Sequence, residues 1–511
     1  MKKIIIAVVS VMLVLCITSC NIIINNPDTT SEQSGDVTEK VYPHSNMELA
    51  PLDAIIATTE HQQIPVAVFK YYFMDQYSSF ISNYYYYLSY YGLDIDVPVH
   101  DQAYLGTEEE STWYDFFLER GKDAFEQYAK FAEMAIKEGI TLDEDDYKMI
   151  EDNLDSIQKI ADSYSMTFEE YMKQYMGEGM TRERIKAATE LSQLGYKYYL
   201  KLYNGPVYTE EQIEAEYNNG AGKYSLVDYY ETTIKALYDE TDTDEQITAA
   251  KAEAKSKAEK IKELIDGGKS FAEAYNTIYP PKTNTEETTD TTDTTDTSEE
   301  STEKSKVPED SDFARIGMGY DEDDAYKFLY EESTKEGQVN IYCDDSGNAT
   351  VVQCIKLPYK DTTRILNIRH ILLSSVDYDT VEEAYAQAQK LLEQINNAED
   401  KKAEFLSLVE QYSSDTGSKT KGGLYENISP GQTVPEFDEW CFNEERNVGD
   451  TGIVKSDYGY HIMYMESFGG ETWHYNCDTA LRDAEFNEKA EEIYKSVVIT
   501  YNEDLTDRII K

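Results

Sequence analysis

Cysteine, histidine, tryptophan and positive charge are all scarce in this chain of 511 residues. Of the six cysteines, Cys16 and Cys20 lie at the N-terminus. Cys343, Cys354, Cys441 and Cys477 form no C-x-x-C pair and no framework spacing, so no disulfide is expected. The six histidines include no H-x-x-x-H pair, and no metal site or cofactor is expected. Lys and Arg number 46 against 99 Asp and Glu, a net charge of −53. So acidic a chain has nothing to neutralise nucleic-acid phosphates, and no basic patch for an anionic lipid surface. It suits a soluble, self-repelling body. After the N-terminus no apolar run is long enough to span a membrane. No α/β pattern of the periplasmic solute-binding kind appears, which disfavours a solute-capturing role.

What is abundant is tyrosine, 44 residues against 16 Phe and 3 Trp. A large ring with a polar tip suits half-wet surfaces that meet varied partners. With 41% apolar and 28% charged residues the chain is globular overall, and its length suggests three or four domains. Met1-Lys2-Lys3 and the apolar run Ile4 to Ile17 read as a signal peptide. Ile17-Thr18-Ser19-Cys20 resembles the bacterial lipobox. That resemblance implies cleavage after residue 19, lipidation of Cys20 and anchoring to the outer face of the cytoplasmic membrane. Residues 20–52, polar and acidic, read as a disordered tether.

Residues 53–220 read as a helical domain. A strand and turn over 53–65 lead into a helix whose stripe is Phe69, Phe73, Tyr77, Phe80, Tyr84, Tyr87 and Tyr91. The stripe serves as core or as a groove for client chains. A helix over about 111–138 follows. Thr141-x-x-Glu144, Thr167-x-x-Glu170 and Thr209-x-x-Gln212 are capping boxes that open further helices. The run Thr167-Phe168-Glu169-Glu170-Tyr171, followed by Gly177-Glu178-Gly179-Met180-Thr181, resembles the N-terminal chaperone domain of PrsA/SurA-type foldases. The Thr/Asp/Glu tract 282–306 cannot support a core and reads as a disordered insertion, without the Gly-turned loop of a calcium site.

The chemistry is concentrated in 364–468. Arg364 to Leu373 is a buried strand holding His370. Two helices follow, then Ser413-Ser414-Asp415-Thr416-Gly417-Ser418, Lys421-Gly422-Gly423-Leu424 and Gly431-Gln432-Thr433-Val434-Pro435-Glu436-Phe437. Gly459-Tyr460-His461-Ile462-Met463 closes the series as a second strand. Each piece alone is weak. The ordered set resembles the parvulin family of peptidyl-prolyl cis-trans isomerases, over about a fifth of the chain. The resemblance implies that His370 and His461 are paired imidazoles at the centre of the sheet. It makes Asp415 the third catalytic group, facing the substrate carbonyl, with Ser456 behind the imidazoles. The rival reading of Asp415 is a loop or helix cap. Leu424 and Phe437 match positions lining a proline pocket, and Thr433 stands where a Met commonly completes it. Gly422-Gly423-Leu424-Tyr425 departs by one residue from the family's G-G-D-L-G.

Residues 222–358 read as a second, decayed copy, with Tyr224 to Tyr230 as first strand and Ala349 to Ile355 as last, and neither His present. Chance α/β similarity is the alternative. Residues 471–511 read as an acidic helical segment that, by the PrsA/SurA resemblance, returns to the N-terminal helical domain. The expected fold is thus mixed: a helical chaperone domain completed by the C-terminal helix, plus two parvulin-like domains, each a small antiparallel sheet with surrounding helices. The expected activity is isomerisation of X–Pro bonds in newly exported or unfolded polypeptides, the partners implied, with a homodimer compatible. The alternative is a non-catalytic holdase with a vestigial site.

Overall fold

The computed structural model describes residues 42–106, 111–220, 222–239, 241–280 and 307–511. The signal sequence, Cys20, most of the tether and all of the Thr/Asp/Glu tract lie outside the described residues. The described residues fall into two compact units: those up to 207 together with 482–511, and those between 208 and 481. No described helix is long and apolar enough to cross a membrane.

The first unit is helical. Its long helices are Val66–Tyr84, Trp113–Lys137, Glu144–Ser163 and Arg182–Asn204. Phe69, Phe73, Trp113, Phe117 and Phe125 are fully buried between them. Thr112 and Thr167 cap their helices through reciprocal boxes with Asp115 and Glu170. Thr141 does not. Asp143 caps the helix instead, its carboxylate accepting from the amides of Asp145 and Asp146 while Asp146 accepts in return from the Asp143 amide. An Asp at the N-cap takes two orphan amides and adds charge where the helix dipole favours it, so the start moves two residues downstream.

The aromatic stripe also ends earlier than its period suggests. The first helix stops at Tyr84, a 3-10 turn covers Tyr85–Tyr87, and Leu88–Tyr91 is a separate short helix ended by Gly92 at φ +76°. The stripe is core through Phe80, whose ring meets Trp113 and Phe117. Past it, the stripe residues Tyr84, Tyr87 and Tyr91 are 41%, 62% and 41% exposed, and the neighbouring Tyr86 and Tyr90 are more exposed still. Tyr84 and Tyr91 pack against the Phe80 ring and each other at the end of the stripe.

The unit draws on both ends of the sequence. Thr500–Tyr501 pairs antiparallel with Ile55–Thr58, which pairs with Gln63–Pro65. The phenol of Tyr114 donates to the Thr506 carbonyl and accepts from the Ile509 amide. The turn at 59–62 is clamped by buried Glu133, whose carboxylate accepts from the Thr59 hydroxyl, the Gln62 side-chain amide and the His61 ring. Glu60, His61 and Glu133 are, among the described residues, the one group of three such side chains near enough to share an ion. Those donors already occupy the Glu133 oxygens.

The second unit holds two four-stranded antiparallel sheets. The first comprises β1 Ser225–Ile234, β2 Ala314–Met318, β3 Val339–Cys343 and β4 Ala349–Lys360. The second comprises β5 Arg364–Ser374, β6 Leu424–Ile428, β7 Thr451–Ser456 and β8 Gly459–Glu471. Their spatial orders are β2-β1-β4-β3 and β6-β5-β8-β7, the same path twice. In each, two helices follow the first strand: Asp244–Asp266 and Phe271–Ile278, then Val381–Asn397 and Lys401–Tyr412. They cover one face of their sheet through Ala258, Ile261 and Phe271 in one copy, and Ala388, Leu391 and Phe405 in the other. This repeated path answers the question of chance similarity: the two segments share an architecture, and the mixed fold expected from sequence is the one observed. Cys343, Cys354, Cys441 and Cys477 are all unpaired.

Candidate active site

Alternation along a strand sends successive side chains to opposite faces. Ile371 and Leu373 of β5 face the two helices, so Leu366, Ile368 and His370 face the other way. On β8, Ile462 and Tyr464 take the helix side and His461, Met463 and Met465 the opposite one. The register pairs His370 with Met463 and Leu372 with His461, which brings the two imidazoles together across the strands. They are 3% and 5% exposed. Phe437, from the helix Pro435–Cys441, stands edge-on to both rings at 5.6 and 5.5 Å between centroids.

Asp415 is delivered by a loop stitched to β5. The Ser414 amide donates to the Leu372 carbonyl, and the Leu372 amide to the Ser413 hydroxyl oxygen. The Gly pair brings the next segment hard against the strand: the His370 amide donates to the Gly423 carbonyl at 2.9 Å. A Cβ on Gly423, whose φ is +72°, would stand 2.3 Å from the His370 carbonyl oxygen. On the reverse face Arg369 holds the same loop, donating to the carbonyls of Lys421 and Gly422 while paired with Glu466.

The polar groups form one chain. Ser456 Oγ lies 2.7 Å from His461 Nε2, His461 Nδ1 lies 3.0 Å from His370 Nδ1, and His370 Nε2 lies 2.8 Å from Asp415 Oδ2. The carboxylate sets the direction. The His370 hydrogen bond, with Ser418 and the Gly417 amide, holds the Asp415 carboxyl well below the usual carboxylate range. It is therefore ionised and can only accept. His370 donates to it from Nε2, and in the neutral ring its Nδ1 is then an acceptor. His461 then donates from Nδ1 and accepts the Ser456 hydroxyl at Nε2. The His461 imidazole is neutral in this arrangement. Burial first, and then His370, push the His461 ring down to about 4.

That shift has a measurable consequence. An unfolded imidazole has a pKa near 6.5. A ring depressed in the fold contributes stability that is full above that value and is lost as pH falls through the folded value. Thermal unfolding is expected to be flat above about pH 6.5 and to fall progressively toward pH 4, with His461→Ala removing most of the slope. Melting temperatures across pH 4–8 check it.

The sequence-derived residues fall into two groups. His370, His461, Asp415, Ser456 and Phe437 converge. Asp415 also caps the short helix Thr416–Lys419, so the rival reading of it describes the same residue. Its Oδ2 is turned to His370 instead of standing free toward an incoming carbonyl. Leu424 and Thr433 are not brought to the rings. Leu424 pairs with Arg369, whose side chain lies on the reverse face, and the Thr433 hydroxyl donates to Asp438 at 3.2 Å in the turn before the Phe437 helix. Tyr425 takes the place instead. It pairs with Ile368, its ring lies 5.0 Å from His370 and 6.4 Å from Phe437, and its phenol donates to Asp415 Oδ2 at 3.3 Å. Burial, and then the Asp415 charge, push that phenol up to about 12. Ser418, quoted in the loop motif without a role of its own, is the other residue the site adds. It donates to Asp415 and lies 3.3 Å from His370 Nε2. Its i+3 spacing from Asp415 was the available signal.

The first sheet carries a different set at matching positions. Counted from helix-facing Ile234 and Leu373, Glu231 occupies the position of His370, and Thr350 that of His461. Arg315, paired with Tyr229, occupies that of Tyr425. Glu231 accepts from Arg315 Nε at 2.8 Å and from the Tyr326 phenol at 2.7 Å. An ion pair stands where the second sheet has a relay of imidazoles.

Residues 353–467 match the family described as the PPIC-type PPIASE domain. Foldase protein PrsA 3 of Bacillus cereus is 46% identical over 77 residues, 15% of this chain and 25% of that protein. Foldase protein PrsA 1 of Listeria monocytogenes is 31% identical over 111 residues, 22% of this chain and 33% of that protein. Chaperone SurA of Pseudomonas putida is 32% identical over 98 residues, 19% of this chain and 22% of that protein. The chain thus spans between a fifth and a third of the length of these curated relatives. The matched segment contains the second sheet and every residue of the polar chain, and it is a parvulin-type domain.

Proposed function

We propose that this protein is an exported, lipid-anchored foldase whose second sheet isomerises X–Pro bonds of polypeptide clients. The observation that carries the reading is the relay from Ser456 through His461 and His370 to Asp415, closed over by the Phe437 ring. Isomerisation must overcome the resonance of a planar amide, a barrier of about 18–20 kcal/mol. No bond breaks, so no cofactor is required. Catalysis consists of favouring the twisted amide over both planar forms. The exposed Tyr425 ring, backed by buried Phe437, offers a surface for the proline ring. The Asp415 charge at the edge of the site opposes negative charge on the planar amide's oxygen, and so opposes the resonance that holds the bond flat. The two hydrogen-bonded imidazoles keep that charge in place.

Lipidation of Cys20 and a position outside the cytoplasmic membrane belong to the same proposal, supported by the lipobox-like Ile17-Thr18-Ser19-Cys20. The first sheet is proposed as a non-catalytic spacer or client surface, since its Glu231–Arg315 pair has no tautomer to set. A holding role for the helical unit is favoured by the exposure of Tyr86, Tyr87 and Tyr90.

Exchange spectroscopy on a proline-containing peptide with the full chain tests the reading. The cis–trans exchange rate is expected to rise steeply with catalytic amounts of protein, and Arg315→Ala is expected to leave that rate unchanged. Exchange equal to buffer would sink the isomerase reading. A fall with Arg315→Ala would remove the spacer role of the first sheet.

A further inference from the structure

Three donors converge on a single oxygen of Asp415. Oδ2 receives His370 Nε2 at 2.8 Å, the Ser418 hydroxyl, and the Tyr425 phenol at 3.3 Å. A carboxylate oxygen has two lone pairs in its plane, so one donor is in surplus. The surplus donor is Tyr425. Its bond is the longest, and its side of the site is open: Tyr425 is 39% exposed, while His370 and Ser418 are buried. Giving up that bond leaves the carboxylate satisfied by His370, Ser418 and the Gly417 amide.

We propose that Tyr425 releases Asp415 when substrate arrives and donates its phenolic hydrogen to the prolyl nitrogen of the twisting amide. This rests on the isomerase reading above. In the planar amide the nitrogen lone pair is delocalised and accepts poorly; twisting removes that delocalisation and leaves a localised pair. An X–Pro nitrogen carries no hydrogen of its own, so no competing donor stands in the way. The bond therefore forms only as the barrier is crossed, which raises kcat without tightening binding. The hydrogen stays on the phenol throughout, and no covalent bond is made or broken. The ring is already placed for the task, packed against His370 and Phe437 on the face where the proline would lie. In the first sheet the matching position is Arg315, bound into an ion pair with Glu231 and not in surplus there.

The test uses the full chain, with exchange spectroscopy over a range of proline-peptide concentrations and the peptide Kd from a separate titration. Tyr425→Phe keeps the ring and loses the hydroxyl. It is expected to lower kcat about tenfold, the loss of one hydrogen bond, with KM and Kd unaltered. Tyr425→Leu removes the ring as well and is expected to lower kcat and raise KM together. A kcat for Tyr425→Phe within twofold of the parent overturns the proposal. So does a loss matched by an equal loss of peptide affinity, which would make the hydroxyl a structural prop. A parent chain that leaves exchange at the buffer rate overturns the isomerase reading and this proposal with it. An active parent with an equally active Tyr425→Phe removes the donor alone.

Discussion

Asp415→Asn is expected to lower kcat/KM for a proline peptide about a hundredfold in the full chain, the scale of losing one preorganised electrostatic group. The substitution preserves shape and removes the one group that gives the relay its direction. An amide presents an N–H₂ as readily as an oxygen to His370. Once the acceptor is no longer obligatory, His370 can hold its proton on either nitrogen, and His461 must follow. The charge that opposes amide planarity disappears as well. The Asp415 charge also raises the His461 pKa against burial, so the variant's imidazole should titrate lower still. Exchange spectroscopy gives the rate, and nitrogen shifts of the two rings give the tautomers. A loss of less than threefold, with unchanged ring shifts, would show that the carboxylate is only the cap of its short helix.

The second large effect concerns Phe437. Its ring is 4% exposed and packs in one cluster with Ile368, Val454, Met463 and Met465. Phe437→Ala is expected to cost about 3–5 kcal/mol, the usual range for emptying a buried phenyl site. The loss should be local, because the helix-covered face of the same sheet is a separate cluster built on Phe405, Leu391 and Ile462. Hydrogen exchange at the Met463 and Met465 amides reads the local figure. A cost below about 1 kcal/mol would mean that the site collapses around the void. Activity should fall too, since both imidazoles lose the wall that fixes their plane.

The site was legible through the ordered set of motifs that resembles the parvulin family, and through no single one of them. His370 and His461 sit in apolar runs whose alternation puts them on one face. Asp415 and the Gly pair follow at distances a short connection can span. Tyr425 was not legible for a specific reason. The register of β6 against β5 shifts between Leu366 and Ile368, and a shift of one residue exchanges the faces of every side chain on the strand. Leu424 looks like the pocket residue in a linear reading, and the irregular ladder hands the position to its neighbour. The cap at Asp143 was missed because Thr141 offers the same box two residues earlier, and only the geometry of the preceding turn separates them. The run of tyrosines after Phe80 keeps a helical period yet stays exposed. Periodicity reports what a segment can bury and is silent on whether a partner exists.

The helical unit contains a strand pair and a buried hydrogen bond that join distant parts of the sequence: Tyr114 to Thr506 spans 392 positions. During synthesis, therefore, both small sheets emerge and can mature while their helical host is still waiting for its last strand. The order of assembly runs from the inside of the gene outward. Trapping nascent chains at successive lengths would find the isomerase segment protease-resistant before the aromatic core around Phe69 and Trp113 has closed.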